Sequence, residues 1–330
     1  MGFFCARKSI ISALTGKIAA KGGRIVKNLK IVIICLGLCF LAACGDKEAA
    51  PSGDKMISLY VAESGETTEM PLEEYLCGVV AAEMDVNWPK EALAAQAILA
   101  RTFTLEKINS GGVKAHGTDA STDVEEFQAY DAEKINDNVK AAVSETKGEV
   151  VTYNGELIKA WFFSDGGGVT ASSAEEGLSY NKTETPYIQS VEDPGAKLAD
   201  NENNHWEADF TADEVKSALQ AIGVKAPAEI TSAEVSEYGA SGRAVTLDFS
   251  GAKAGAVAFR LAIGSERMKS TLIEKIAVKD GALCIEGRGY GHGVGMSQWG
   301  ARALAEEGKS AEDIVKYFFK DVEIEDLAKL

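Results

Sequence analysis

Two helix-length stripes of apolar residues, only four residues apart, restrict what this chain can become. In the first, from about Pro71 to Met84, Leu72, Tyr75, Leu76, Val79 and Val80 recur at steps of one, three and four. Proline suits the first turn of a helix, and the next step along the stripe is Glu83. The second runs from Pro89 to about Ile108, with Ala94, Ile98, Leu105 and Ile108 on one face and Arg101 among them. A connection as short as Asp85 to Trp88 folds two such helices against each other, so both stripes must be buried together. An arginine in that stripe needs an acceptor, and Glu83 or Glu91 is the expected partner.

Beyond residue 147 the pattern turns strand-like at Glu149–Tyr153, Leu157–Phe163, Ala244–Phe249 and Leu272–Val278. A further strand, Met56–Val61, precedes the helices, with Gly65 in a turn. Helical patterns return at Ala212–Ile222, Gln298–Glu307 and Ala311–Phe319. Strands and helices do not alternate regularly and no unit repeats, so the expected class is α+β rather than a doubly wound sheet. The N-terminal helical pair would pack against mixed or antiparallel β structure with Gly-rich loops. With 330 residues, 46% of them hydrophobic, the chain can bury one large core or two modest ones.

The first 43 residues hold seven Lys or Arg and no Asp or Glu, which leaves 27 basic against 50 acidic residues in the remainder. So acidic a body repels phosphate backbones, and nucleic acid is not an expected partner. Arg24, Lys27 and Lys30 precede an apolar run from Ile31 to Ala43, too short to span a bilayer at ~20 residues per helix. The run ends in Leu41, Ala42, Ala43 and Cys44, the form of an export signal whose cysteine is lipidated. The expected layout is therefore a signal peptide at 1–43, a lipidated tether at 44–55 and a folded domain at 56–330, with translation starting near Val26. Of six cysteines only Cys77 and Cys284 then belong to the domain, enough for one bridge or for two free thiols.

Three patches could carry chemistry. Glu83, on an apolar stripe near a helix end, would have its charged form disfavoured by burial, as a general acid requires. A salt bridge to Arg101 would do the opposite, and position alone gives neither reading the advantage. The segment Glu286–Gly300 places six glycines around Tyr290, His292, Ser297 and Gln298 just before a helix. It lacks the spacing of a phosphate loop or a nucleophile elbow, and a tight turn around a satisfied histidine is the plainer account. The third, Phe163–Thr170, ends a strand in Gly166, Gly167 and Gly168, which suits a hydrogen-bonding rim for a sugar or a simple strand-to-loop turn.

Taken in order, Met70–Met84, Glu91–Thr102, Ser164–Gly168, Gly242–Arg243, Phe259–Arg260, Lys269–Thr271 and Gly287–Ala301 resemble the SpoIID/LytB family, named for stage II sporulation protein D and an amidase modifier. The resemblance extends over residues 56 to about 325. It implies a peptidoglycan lytic transglycosylase that cleaves strands of N-acetylmuramic acid and N-acetylglucosamine, often already stripped of peptide, to 1,6-anhydro ends. Glu83 would be the catalytic acid/base, with Arg101, Ser164, Gly166, Gly167, Tyr290, His292, Ser297 and Gln298 at the substrate. Cys44 would anchor the protein by lipid on the outer face of the cytoplasmic membrane, where a cell-wall amidase is a candidate partner. The modifier branch implies an alternative, a glycan-binding lipoprotein that activates or positions such an amidase without cutting. Two positions depart from the family pattern. Asp85 stands where proline usually follows Glu-Met. Some relatives bind zinc through one His and two Cys in the segment matching His116–Tyr130, where this chain has Ser121 and Phe127, so neither a metal site nor another cofactor is expected.

Overall fold

The computed structural model describes residues 55–198 and 200–330; the expected signal, Cys44 and nearly all of the tether lie outside the described residues. The described chain is mixed α+β, with eight α-helices and several small sheets. Strand β1 (Met56–Val61) pairs antiparallel with β2 (Glu66–Pro71), and Gly65 takes the positive φ of 72° that their turn requires. Helix α1 (Leu72–Glu83) follows directly, with Glu73 and Glu74 in its first turn, where carboxylates suit the helix dipole. Helix α2 (Lys90–Asn109) starts after Pro89. Both helices thus lie within a residue or two of the expected bounds.

Helix α2 is the central strut. Every residue from Ala92 to Leu105 is buried apart from Phe103, because the alanines at 92, 94, 95, 97 and 100 let other elements approach on all sides. Packed around it are α1, α3 (Asp137–Glu145), α7 (Gln298–Glu306), α8 (Ala311–Phe318) and β4 (Glu149–Tyr153). Each enclosed Leu93, Ile98 or Leu99 contributes about 1.5–3 kcal/mol. The two-residue strand β3 (Ala120–Ser121) runs parallel to β1, while β4 is the middle strand between β5 (Glu156–Leu157) and β14 (Glu323–Asp326). The expected continuous strand Leu157–Phe163 is broken. β5 pairs with β4, whereas β6 (Phe162–Phe163) pairs parallel with β13 (Met296–Ser297). Between them a tight turn, with Trp161 N–H donating to Lys159 O at 2.9 Å, moves the chain from one sheet to the other.

After the short helix α4 (Ala174–Leu178), a second core is built from Trp206, Phe210, Leu219, Phe249, Phe259 and Leu283. It lies beneath two three-stranded antiparallel sheets. One combines β7 (Trp206–Thr211), β11 (Ile273–Lys279) and β12 (Ala282–Gly287); the other combines β8 (Ala233–Tyr238), β9 (Ala244–Phe249) and β10 (Ala252–Gly255). Helices α5 (Ala212–Ala221) and α6 (Ala256–Ile263) complete the module. The chain then returns to the first core through β13, α7 and α8. Cys77 and Cys284 are both free thiols. No helix among the described residues is long and apolar enough to cross a membrane.

Candidate functional site

Glu83 ends α1, and its carboxylate meets two groups from distant parts of the chain. The Ala129 N–H donates to Oε1 at 3.1 Å, and Gln298 Nε2, from the first residue of α7, donates to Oε2 at 3.3 Å. No cation pairs with it among the described residues. Burial raises the Glu83 pKa above the ordinary carboxylate range, and the two donors offset only part of that shift. The residue nonetheless keeps some surface open to solvent. It is a crowded carboxyl with no cationic partner among the described residues, on a residue that is only partly buried.

The segment that supplies the Ala129 N–H is clamped from both sides. Phe127 packs edge-on to Phe103 at 5.4 Å, and Gln128 Nε2 donates to Thr104 Oγ1 at 2.9 Å. Tyr130 stacks on Tyr75 at 5.7 Å and lies directly over Gly78, where a Cβ would come within 2.2 Å of its ring. Asp131 N–H donates to Gly78 O at 3.0 Å. Glycine at position 78 therefore makes room for the ring that fixes this segment against α1.

Arg101 does not reach Glu83 or Glu91. Its side chain is fully enclosed, donating through Nε and Nη2 to the two carboxylate oxygens of Glu73 at 2.9 and 2.6 Å, and through Nη1 to Glu149 O at 3.0 Å. Glu91 instead accepts from the Ala311 N–H at 2.9 Å. The expectation of Arg101 at the substrate is corrected by this geometry. It is an internal tie between α1, α2 and β4, and no ligand can touch it.

Most of the expected substrate residues of the Gly-rich segments also turn out to hold the scaffold. The two segments pack on each other so closely that a Cβ on Gly167 would sit 2.8 Å from the Arg288 carbonyl carbon, and one on Gly166 would sit 2.5 Å from Asp193 Oδ2. Gly166 N–H donates to Asp193 at 2.6 Å, and Gly166 O accepts from Arg243 Nη2 at 3.0 Å. Asp193 and Asp165 lie buried together, and burial followed by that proximity raises the Asp193 pKa. Ser297 Oγ accepts from the Gly300 N–H at 3.0 Å as the N-cap of α7. His292 Nδ1 accepts from the Val294 N–H at 3.0 Å, and burial pushes its pKa down to about 3, so the ring is a neutral backbone clamp. Ser164 sits beside this network, its carbonyl accepting from the Trp299 N–H at 3.0 Å. Tyr290 lies half-buried under the Lys269 ammonium, 5.5 Å from its ring centre, and joins no contact with Glu83 among the described residues. Of that set, Gln298 is the residue that hydrogen-bonds Glu83.

The side chains expected to match a metal segment are engaged in other contacts. His116 Nε2 is engaged by both oxygens of Glu126 at 3.0–3.1 Å, and its ring stacks on Tyr60 at 3.5 Å. Phe127 fills an aromatic contact and Ser121 accepts from the Asp123 N–H. Among the described residues no three His, Cys, Asp or Glu side chains are grouped to hold an ion. Asp85, in place of proline, closes the helix connection by accepting from the Asn87 N–H at 2.9 Å.

Sequence comparison relates the chain to known proteins. A family model described as stage II sporulation protein matches residues 61–153, which include α1, α2 and the Ala129 segment. A second, described as a domain of unknown function, matches residues 199–295 and so takes in the second core. Stage II sporulation protein D of Bacillus subtilis (strain 168) is 32% identical over 287 residues, covering 81% of this chain and 78% of that protein. The protein of the same name from Bacillus amyloliquefaciens is 32% identical over 282 residues, again 81% and 78%. An amidase enhancer of Bacillus subtilis (strain 168) is 30% identical over 288 residues, 74% of this chain but 39% of the enhancer.

Proposed function

The chain belongs to the stage II sporulation protein D family, and on that premise we propose that it is a peptidoglycan lytic transglycosylase with Glu83 as its single acid/base. The observation that carries the reading is the Glu83 carboxyl itself: crowded, held protonated to higher pH by burial, unpaired with any cation among the described residues, and carried by a residue that keeps some exposed surface. The rival role, a salt bridge to Arg101, is taken by Glu73.

In the proposed reaction the Glu83 proton passes to the oxygen linking N-acetylmuramic acid to N-acetylglucosamine, and the bond from that oxygen to the muramic anomeric carbon breaks. The carboxylate then accepts the proton of the muramic C6 hydroxyl as that oxygen bonds to the anomeric carbon, leaving a 1,6-anhydro end. No water is consumed and Glu83 recovers its proton. A second carboxylate, which hydrolytic glycosidases place opposite the acid, is not needed. The Ala129 and Gln298 donors stabilise the carboxylate formed midway. The role in the organism is related to sporulation or the cell wall. We place the protein outside the cytoplasmic membrane, lipid-anchored at Cys44, with glycan strands as substrate and no cofactor.

The amidase enhancer among its relatives favours one second reading, a glycan-binding protein that assists an amidase without cutting. Digestion of peptide-free glycan strands by the full chain and by Glu83→Gln, read by mass spectrometry, separates the two. Anhydro ends from the wild type alone are expected. Reducing ends would mean hydrolysis, and uncut strands of every length would leave the assisting role.

A further inference from the structure

The connection that follows Glu83 and the helix that supplies Gln298 bring a pair of indoles and a guanidinium together. The α1–α2 connection carries Trp88, whose backbone is fixed by Asn138 Nδ2 donating to Val86 O and Trp88 O, each at 3.0 Å. Helix α7 carries Trp299 directly after Gln298, and Arg302 one turn later. The two indoles meet edge to face at 5.0 Å, and the Arg302 guanidinium lies over both, 5.4 Å from the Trp88 ring and 5.2 Å from that of Trp299.

The guanidinium is only partly committed. Its Nε donates to Glu306 at 2.8 Å and its Nη1 to Asp200 at 2.9 Å, while Nη2 meets no acceptor among the described residues. Both carboxylates stand in solvent, 40% and 63% exposed, while the Arg302 side chain is 17% exposed, so solvent screens each pair from the carboxylate side. In a body with 27 basic and 50 acidic residues after position 43, Arg302, one turn beyond Gln298, is a local reversal of sign.

We propose that Trp88 and Arg302 form a subsite for an acidic pyranose, with the half-buried indole against the ring's C–H face and Arg302 Nη2 donating to the carboxylate. The inference rests on the glycan-cleaving reading for its occupant, a muramic acid residue whose lactyl carboxylate is free. A peptide linked to that group turns the carboxylate into a neutral amide and removes the anion that Arg302 would meet. Arg302 thereby becomes the residue that tells bare strands from peptide-bearing ones.

The test is calorimetric binding to the full-length Glu83→Gln chain, in which turnover does not intervene. The probes are a tetrasaccharide of alternating N-acetylglucosamine and N-acetylmuramic acid with free carboxylates, the same sugar with those carboxylates capped by methylamine, and chitotetraose. The free acid is expected to bind about tenfold more tightly than the capped form, the order of one solvent-screened charge-assisted hydrogen bond. Arg302→Gln should abolish that ratio, and Trp88→Ala should weaken all three sugars by about fivefold through lost stacking. Asp200→Asn, a change at an exposed position, should widen the preference for the acid by releasing Nη1. Equal binding of acid and capped sugar by the Glu83→Gln parent, or a ratio that Arg302→Gln leaves intact, overturns the proposal. Binding with the expected preference but without cleavage by the Glu83-containing chain would sink the catalytic reading and leave this subsite standing.

Discussion

Removing the Glu73 carboxylate should destabilise the fold far more than removing the Glu83 carboxylate, although both end or begin the same helix. Arg101 is fully enclosed, and Glu73 supplies two of its short bonds. Glu73→Ala leaves a buried guanidinium with backbone carbonyls as its remaining acceptors. Breaking a buried pair in this way costs about 3–5 kcal/mol, and the 20% exposure of Glu73, which lets water reach the gap, argues for the lower end. At about 2–3 °C per kcal/mol for a chain of this size, a loss of about 3 kcal/mol lowers Tm by roughly 6–9 °C. Glu83→Gln removes a charge that burial disfavours, so Tm at neutral pH should stay level or rise. The pH dependence has a definite sign. A carboxyl whose folded pKa lies above its unfolded value binds more protons when native, so stability falls as pH rises from the unfolded pKa through the folded one. Glu83→Gln should flatten that fall. Calorimetric scans of the two variants from pH 4 to 8 decide it. A larger loss from Glu83→Gln than from Glu73→Ala would refute the pairing and restore Glu83 as a structural anchor.

Three further outcomes follow from the geometry. Gln298→Ala removes a donor to the charged form of Glu83, so the basic limb of the pH–rate profile should move to higher pH; an unchanged or lower limb would mean that the contact does not act on the acid. Gly78→Ala drives a methyl group into the Tyr130 ring and should cost about 1–3 kcal/mol while shifting the same limb upward, as the Ala129 N–H is displaced; denaturant curves and the rate profile together check both. His292, pushed down to about 3, should stay neutral throughout pH 5–8, and a nitrogen NMR titration in that range would contradict the clamp assignment.

What could be read in advance, and what could not, divides along the range of the interaction. The α1 stripe puts Glu83 on the buried side because helical spacing is local, and α1 and α2 appear where the spacing predicts them. The partner of Arg101 needed one further step. In an antiparallel pair, residues equally far from the connection lie side by side, and Glu73 and Arg101 are each fourteen positions from Asn87. That symmetry is present in the sequence, whereas Glu83 and Glu91 have only charge and nearness along the chain in their favour.

The glycines are ambiguous for a different reason. Their freedom to approach another backbone is equally useful for a ligand and for a neighbouring loop, and only the fold reveals that Gly166 and Gly167 face Asp193 and Arg288. The Ala129 N–H had no signal at all, since a backbone donor carries no side-chain signature and its position depends on Phe127, Gln128 and Tyr130 gripping α1 and α2 together. The consequence for the site is specific. One helix supplies the Glu83 carboxyl, while a clamped segment 46 residues away and the N-terminus of a helix 215 residues away donate to it. Substitutions that loosen either neighbour should therefore move the pH profile before they abolish the fold, whereas those at Glu73 or Arg101 should lower stability first.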